Sequence, residues 1–360
     1  MDRYNEDEQP LSHPISWFAL LDSWELNKSE AKSVSIFEHD LVLFRGESGS
    51  VNILDAYCPH NGANLGVGGT VDGDCIRCPF HCWKFDGSGK CTAIPGLNSK
   101  SLPEVRTRVW PCMEVDNLIM VWYHPAAHEP KWRPLSMESI AKNNYEYRGK
   151  CNLIANCCIQ EYPENVVANL GQFNQLDLSR QLLGLGKLKT YCAKRICKWF
   201  SQYINYDWQT ADYETKTNDY DDSGHMARQF TDGSCWLFGW KFAQFSIRIK
   251  QIGPALAHIS TRYTLFGCLE FTALLISTCT PMGAYSNSFC HRLYMKPGLF
   301  GRLFAKIFIK TLDIMLSRDL LIWNDNKYLR QPILTKNKTS MLKFRLWYKQ
   351  FLYQTDNELF

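Results

Sequence analysis

No stretch of the 360-residue chain reaches the roughly eighteen uninterrupted apolar residues that carry a helix across a bilayer, so no membrane-spanning segment is expected. Met1 to Glu8 are acidic and polar with no apolar core, and a secretory signal peptide is not expected either. Neither sign of charge dominates: 40 Lys and Arg stand against 36 Asp and Glu, a formal net charge of +4, and the basic residues are scattered rather than massed. That distribution argues against nucleic acid as a partner. A disulfide framework is not expected either, because the 15 cysteines are odd in number and no signal peptide to an oxidising compartment is expected. Most thiols are expected to be reduced, with Cys112, Cys151, Cys157, Cys158, Cys192, Cys197, Cys268 and Cys279 serving as small buried hydrophobes. What remains is a folded globule. Hydrophobic residues at 45% and aromatics at 14% exclude disorder, and the length suits two domains.

Against that background two short boxes stand out. Cys58-Pro59-His60 is followed, after a Gly-rich stretch, by Cys78-Pro79-Phe80-His81. Zinc also takes two Cys and two His, but its usual spacing groups the cysteines together and the histidines together. One Cys and one His on each of two loops is the donor set of a Rieske [2Fe-2S] centre, with two thiolates on one iron and two imidazoles on the other. Zinc stays open as the alternative at this stage. Pro59 and Pro79 stiffen the loops, and Gly62, Gly66, Gly68 and Gly69 are expected to let backbone N–H groups approach the sulfides. Cys82 follows His81 directly; in an extended segment its side chain should point away from its neighbour's, which argues against a fifth ligand.

Residues 15 to 57 read as short strands broken by turns, with a hairpin signal at Gly46-Glu47-Ser48-Gly49. Asp86-Gly87-Ser88-Gly89 marks another hairpin, and strands between Val109 and Tyr123 close a first, all-β domain. The expected division is a polar tail over 1–14, the cluster domain over 15–124, a Pro-rich linker over 125–134, a second domain over 135–345 and a C-terminal tail over 346–360. His124 and His128, near the linker prolines, read as inert surface histidines. The second domain should open with a strand around 145–159 and continue as a helix over 163–183, with Pro163 in its first turn and Glu164 near its positive end. Alternation over 205–263 and around 274–279 predicts further strands. Residues 299–316 form an amphipathic helix, with Leu299, Leu303, Phe304, Ile307, Phe308 and Met315 apolar and Arg302, Lys306 and Lys310 on another side. Packing on the sheet is its default role and contact with a membrane surface the alternative. The fold class is α+β, an antiparallel sheet curled over a helix in helix-grip fashion behind the all-β domain.

From about Trp17 to Tyr353 the chain resembles the Rieske non-haem iron oxygenases, and within them the animal cholesterol 7-desaturase branch. The two boxes carry the resemblance together with Leu54-Asp55-Ala56-Tyr57, Asn64-Leu65, Val67-Gly68-Gly69, Glu161-Tyr162-Pro163-Glu164-Asn165, Ile252-Gly253-Pro254 and Ile322-Trp323. Ala63 and Phe80 stand where Rieske proteins of respiratory complexes carry a disulfide pair, which sides with the oxygenases. Cys82 stands where the family has Gly. The resemblance implies a sterol-like lipid substrate, dioxygen, and electrons from NAD(P)H through a separate reductase. It also implies assembly as a homo- or hetero-trimer, in the cytoplasm or peripheral at the endoplasmic reticulum membrane, where relatives carry an N-terminal anchor.

Such an oxygenase also needs a mononuclear Fe2+ held by two His and a carboxylate. In the family these follow an Asp, two residues, His, four residues, His pattern. The matching positions here are Asn169, Gln172 and Asp177, so both imidazoles and the bridging Asp are replaced; Asp319 matches the remaining carboxylate ligand. Neutral amide oxygen is a poor donor for ferrous iron, and an oxygen-only set suits magnesium, calcium or manganese better. His225, His258 and His291 are the histidines left to replace the pair, but none has paired helical spacing. Two functions are therefore carried forward: a Rieske sterol desaturase or hydroxylase, and a non-catalytic paralogue acting as electron-transfer subunit, redox sensor or sterol-binding protein.

Overall fold

The computed structural model describes residues 13–142, 144–161, 163–164, 204–208, 212–214, 224–283, 285–325, 329 and 339–353. They fall into two compact units, the first built on Pro10–Ser136 with Cys279–Asn287, the second on Met137–Thr278 with Ser288–Phe351.

The first unit is all β. Its strands are β1 (Ser16–Asp22), β2 (Glu30–Ile36), β3 (His39–Arg45), β4 (Val51–Asp55), β5 (Thr70–Asp72), β6 (Cys75–Arg77), β7 (Lys84–Asp86), β8 (Cys91–Ala93), β9 (Cys112–Val115) and β10 (Leu118–Tyr123). They form three antiparallel sheets in the orders β1-β10-β9, β2-β3-β4 and β5-β6-β7-β8. Tight two-residue turns fix the registers. Phe37-Glu38 joins β2 to β3 and Asp116-Asn117 joins β9 to β10, all four residues at positive φ as a turn matched to strand twist requires. Both hairpins read from Gly46 and Asp86 are present, β3 with β4 and β7 with β8. Val109 to Pro111 is not a strand: Val109 makes one isolated bridge to Leu54, and Trp110 is buried with its indole N–H on Asp55 Oδ1 at 2.7 Å. Val42, Phe44, Leu54, Leu65, Ile76 and Phe85 form the core, and Cys58 and Cys78 belong to it.

His124 corrects its expected surface placement. It is buried, its ring stacks on His128 at 4.4 Å, and its Nδ1 accepts the Ala126 N–H at 3.1 Å. The linker stretch is tied to the strands, because the indole N–H groups of Trp17 and Trp122 donate to the carbonyls of Trp132 and His128, each at 2.8 Å.

The second unit holds the short α1 (Glu138–Ala141), then β11 (Glu146–Asn156), β12 (Ile204–Trp208), β13 (Asp212–Glu214), β14 (Met226–Leu237), β15 (Trp240–Ile252), β16 (Leu256–Leu265), β17 (Leu269–Pro281) and β18 (Ser286–Met295), and ends in α2 (Leu299–Trp323) and α3 (Thr339–Tyr348). An eight-stranded sheet runs β11-β18-β17-β16-β15-β14-β12, with β13 beside β14. Phe304, Ala305, Phe308, Ile309 and Leu312 of α2 pack on Ala273 and Leu275 of β17 and Leu293 and Met295 of β18. The ring of Phe304 lies 4.0 Å from that of Phe271. Burying these apolar side chains, worth about 1.5–3 kcal/mol for a Leu, Ile, Phe or Met fully removed from water, holds the helix against the sheet. The α+β expectation is met, and α2 runs seven residues beyond the expected end at 316. Of the helix expected over 163–183, only Pro163 and Glu164 lie within the described residues, and both are helical. Residues 346–348, in the stretch expected as a tail, are the last turn of α3, with Trp347 and Tyr348 buried.

Candidate metal centre

The two boxes occupy matching loops. β4 delivers Cys58, whose N–H donates to Ala63 O at 2.8 Å; β6 delivers Cys78, whose N–H donates to Trp83 O at the same distance. Each cysteine thus closes a six-residue loop, Cys58 to Ala63 and Cys78 to Trp83, and the bridge between Tyr57 and Asn64 seals the first. The loops bring the histidines together: the His60 and His81 ring centroids are 4.7 Å apart and nearly perpendicular. Trp83 stacks on His60 at 4.4 Å, and Phe80 packs on His81 at 3.9 Å, so each imidazole is braced by an aromatic neighbour.

Burial divides the four side chains by type. Cys58 and Cys78 are each 2% exposed, whereas His60 and His81 are both exposed. Burial pushes the Cys58 thiol up to about 11, opposed by the amides of His60 and Asn61, which point at its sulfur, and reinforced by the facing Cys78 thiol. Two buried sulfurs beside two exposed imidazoles are a donor set that would fit a two-iron cluster, thiolates for one iron and imidazoles for the other. The N–H groups aimed at Cys58 are of the kind that tune a cluster's potential.

The glycines allow close packing and tight turns in these loops. A Cβ at Gly66 would lie 2.8 Å from Ser33, and one at Gly69 would overlap Leu65 O, so both serve close packing against neighbouring backbone. Gly62 and Gly68 supply positive φ. Cys82 is also corrected: its φ is 56°, left-handed rather than extended, and its side chain is exposed. The turn after His81 demands a conformation natural to glycine.

The second expected site is only partly visible. Asn169, Gln172 and Asp177 lie outside the described residues. Asp319 is on α2, half-buried, and its Oδ1 accepts from Arg318 Nε at 3.1 Å. The three histidines do not converge. His291 Nδ1 lies 2.8 Å from Ser277 Oγ, and His258 pairs with Ile276, one residue out of step, so the two rings leave opposite faces of the sheet. His225 adjoins β14, four strands along the sheet from β18. Burial, then Arg292, pushes His291 down to about 4, which keeps it neutral. Among the described residues no group of three or more His, Cys, Asp or Glu is placed to hold a single metal ion.

A buried acid was missed. Glu161 is 3% exposed with neither carboxyl oxygen hydrogen-bonded, and burial, then Glu164, push it up to about 7 against the pull of Arg345. Glu164, expected merely to face a helix end, is gripped by Arg345 through Oε1 at 2.6 Å and Oε2 at 2.9 Å. Cys157 and Cys158 beside them are buried and pushed up to about 12, chiefly by burial. Cys151 and Cys279 are buried as expected, Cys112 is half-buried, Cys268 is exposed in the turn before β17, and Cys192 and Cys197 lie outside the described residues.

An all-β unit that presents two buried thiols beside two exposed imidazoles, followed by an antiparallel sheet over a long helix, has the architecture of a Rieske-type oxygenase. Residues 16–111 match the Rieske [2Fe-2S] domain family, and residues 121–352 match the 3-ketosteroid 9alpha-hydroxylase C-terminal domain family. The fold is shared with dicamba monooxygenase, solved with non-heme iron and dicamba, at a TM-score of 0.66 and 15% identity over 94% of this chain and 96% of that one. The chain is 36% identical over 358 residues to cholesterol 7-desaturase nvd of Drosophila melanogaster, covering 98% of this chain and 78% of the relative. It is 32% identical over 353 residues to cholesterol 7-desaturase nvd 1 of Ciona intestinalis, covering 96% and 70%. The protein belongs to the cholesterol 7-desaturase family of Rieske [2Fe-2S] oxidoreductases.

Proposed function

We propose that this protein is a Rieske electron-transfer oxidoreductase of the sterol desaturase type in which Cys58, His60, Cys78 and His81 hold the [2Fe-2S] cluster and the mononuclear iron site is degenerate. The separation of buried thiols from exposed imidazoles in one pair of matched loops carries this reading. A [2Fe-2S] cluster held there exchanges single electrons. Cys58 and Cys78, buried in the core, and the exposed His60 and His81 would hold it, and Trp83 and Phe80 brace the two imidazole rings. The electron donor is a separate NAD(P)H-dependent reductase. Residues 15–124 form the cluster domain, 125–134 the linker and 135–345 the lipid-pocket domain, which takes a sterol-like substrate while the protein is peripheral at a membrane.

Asn169, Gln172 and Asp177 replace the imidazole-bearing helix, and Asp319 is the one retained ligand. That loss favours a second reading for catalysis: in a homo- or hetero-trimer the chain passes electrons to a competent neighbour, or binds sterol without converting it. Iron and acid-labile sulfide counts on anaerobically purified protein, with EPR of the reduced centre, test both. Two irons per chain, a Rieske signal and no sterol-dependent oxygen uptake are expected. Three irons with sterol-dependent uptake would overturn the degenerate site, and absence of the Rieske signal would overturn the cluster.

A further inference from the structure

At one end of the second unit's sheet, exposed apolar residues from three separate segments meet. β14 turns into β15 through Phe238-Gly239, and β16 turns into β17 through Phe266-Gly267-Cys268. The Phe266 N–H donates to Phe242 O at 2.7 Å, which sets the second turn beside the base of the first. The ring contact of Phe304 with Phe271 brings the start of α2 to this same end. Trp240 is 81% exposed, Phe266 72% and Leu299 85%, and Phe238 and Leu303 are exposed as well.

The inner face of α2 is committed to the sheet through Phe304, Ala305 and Phe308, which leaves Leu299 and Leu303 pointing outward. Phe238 and Phe266 hold φ of 51° and 52°, a region that disfavours bulky side chains. Neither ring is buried in the fold in return. Among the described residues here Lys241, Lys296, Arg302 and Lys306 are all exposed, against the carboxylates of Glu270 and of Glu146, the latter paired with Arg148 at 2.8 Å.

We infer that this end of the sheet, with the first turns of α2, is a docking surface for an anionic lipid bilayer. Aromatic and leucine side chains with a collar of cations suit the boundary between headgroups and acyl chains. Four exposed cations against two carboxylates, one of them already paired with Arg148, complement an anionic leaflet and oppose pairing of this patch with itself on a second copy. The residues lie on two hairpin turns and one helix face, so they enter an interface without crossing the bilayer, and no helix among the described residues is long and apolar enough to cross it. The inference deepens the reading of a peripheral protein acting on a sterol-like lipid, by naming the surface that meets the membrane.

The test uses the full chain with its cluster and sedimentation with sterol-free vesicles of phosphatidylcholine, alone or with about one quarter phosphatidylserine. The wild type is expected to sediment with the anionic vesicles, less as salt is raised. Trp240→Ser with Phe266→Ser should lower partitioning roughly tenfold on both vesicles. Arg302→Glu with Lys306→Glu should abolish the preference for phosphatidylserine. Iron content and melting temperature establish that each variant is folded. The inference is overturned if the wild type stays in the supernatant with both vesicles, or if both folded variants sediment like the wild type. It is equally overturned if the patch variants change the oligomeric mass in light scattering, which would assign the patch to a second copy. Transfer of a fluorescent sterol from cyclodextrin is measured separately: vesicle binding without sterol uptake sinks the substrate reading alone, and sterol uptake without vesicle binding sinks this one alone.

Discussion

Cys82 and Glu161 each occupy a place that their chemistry disfavours. A left-handed φ costs a residue with a Cβ roughly 1–2 kcal/mol, and Cys82 carries that cost on the loop that holds His81. Cys82→Gly should raise the melting temperature by a few degrees. It should leave the iron count and the EPR spectrum unchanged; loss of iron would instead make Cys82 a ligand. Glu161 links stability to pH. Its native pKa, near 7, lies above the ordinary carboxyl value, so its contribution is fully present below about pH 4 and is lost as pH rises through 7. Melting temperatures at pH 5 and pH 8 for wild type and Glu161→Gln test this. The substitution should stabilise the protein at pH 8, by about 3 kcal/mol at most, and change little at pH 5. A pH profile identical to the wild type's would show that Glu161 is already neutral or paired at pH 8.

Among the elements, α3 is held by one buried ion pair more than by its length. Arg345 reaches Glu164 across 181 residues of sequence, with both side chains nearly buried, and Phe344, Trp347 and Tyr348 fill the same face. Removing one partner of such a pair strands the other's charge. Arg345→Met should destabilise by about 3 kcal/mol, and adding Glu164→Gln should recover much of it, because two neutral groups incur less desolvation than one unpaired carboxylate. Additive losses in that double-mutant cycle would contradict the coupling. The same element scale explains α2. Its apolar and basic residues were legible as an amphipathic helix from spacing alone, and the inner face packs on the sheet as expected. That its outer row stays apolar while joining two hairpin turns was not legible, because the turns lie in separate strands of the sequence.

Across the molecule, the proposed function keeps one half of an electron path and gives the other no imidazoles. Asn169→Asp, Gln172→His and Asp177→His, made together with Asp319 untouched, should raise iron from two toward three per chain if the surrounding pocket is retained. A count that stays at two would mean that the pocket has drifted beyond its ligands. The proposed cluster half was readable because its four donor residues are close in sequence and its two boxes repeat one loop design, Cys58 to Ala63 and Cys78 to Trp83. The buried acid was not. Glu161 belongs to a stretch quoted for its resemblance, and nothing in its neighbours along the chain signals that both oxygens lie without a hydrogen bond.

The sequence by itself determined the two Cys-His boxes proposed to hold the cluster, the family and the α+β order of elements, because box spacing, turn residues and strand or helix periodicity are local properties of the chain. Only the tertiary structure decided which groups are buried and which meet across distance. It set the cysteines inside and the histidines outside, paired Glu164 with Arg345, separated His258 from His291 onto opposite faces, and gathered Phe238, Trp240, Phe266 and Leu299 at one end of the sheet. Desolvation, charge pairing and surface patches depend on what packs against a residue in space, and one sequence position carries no record of that.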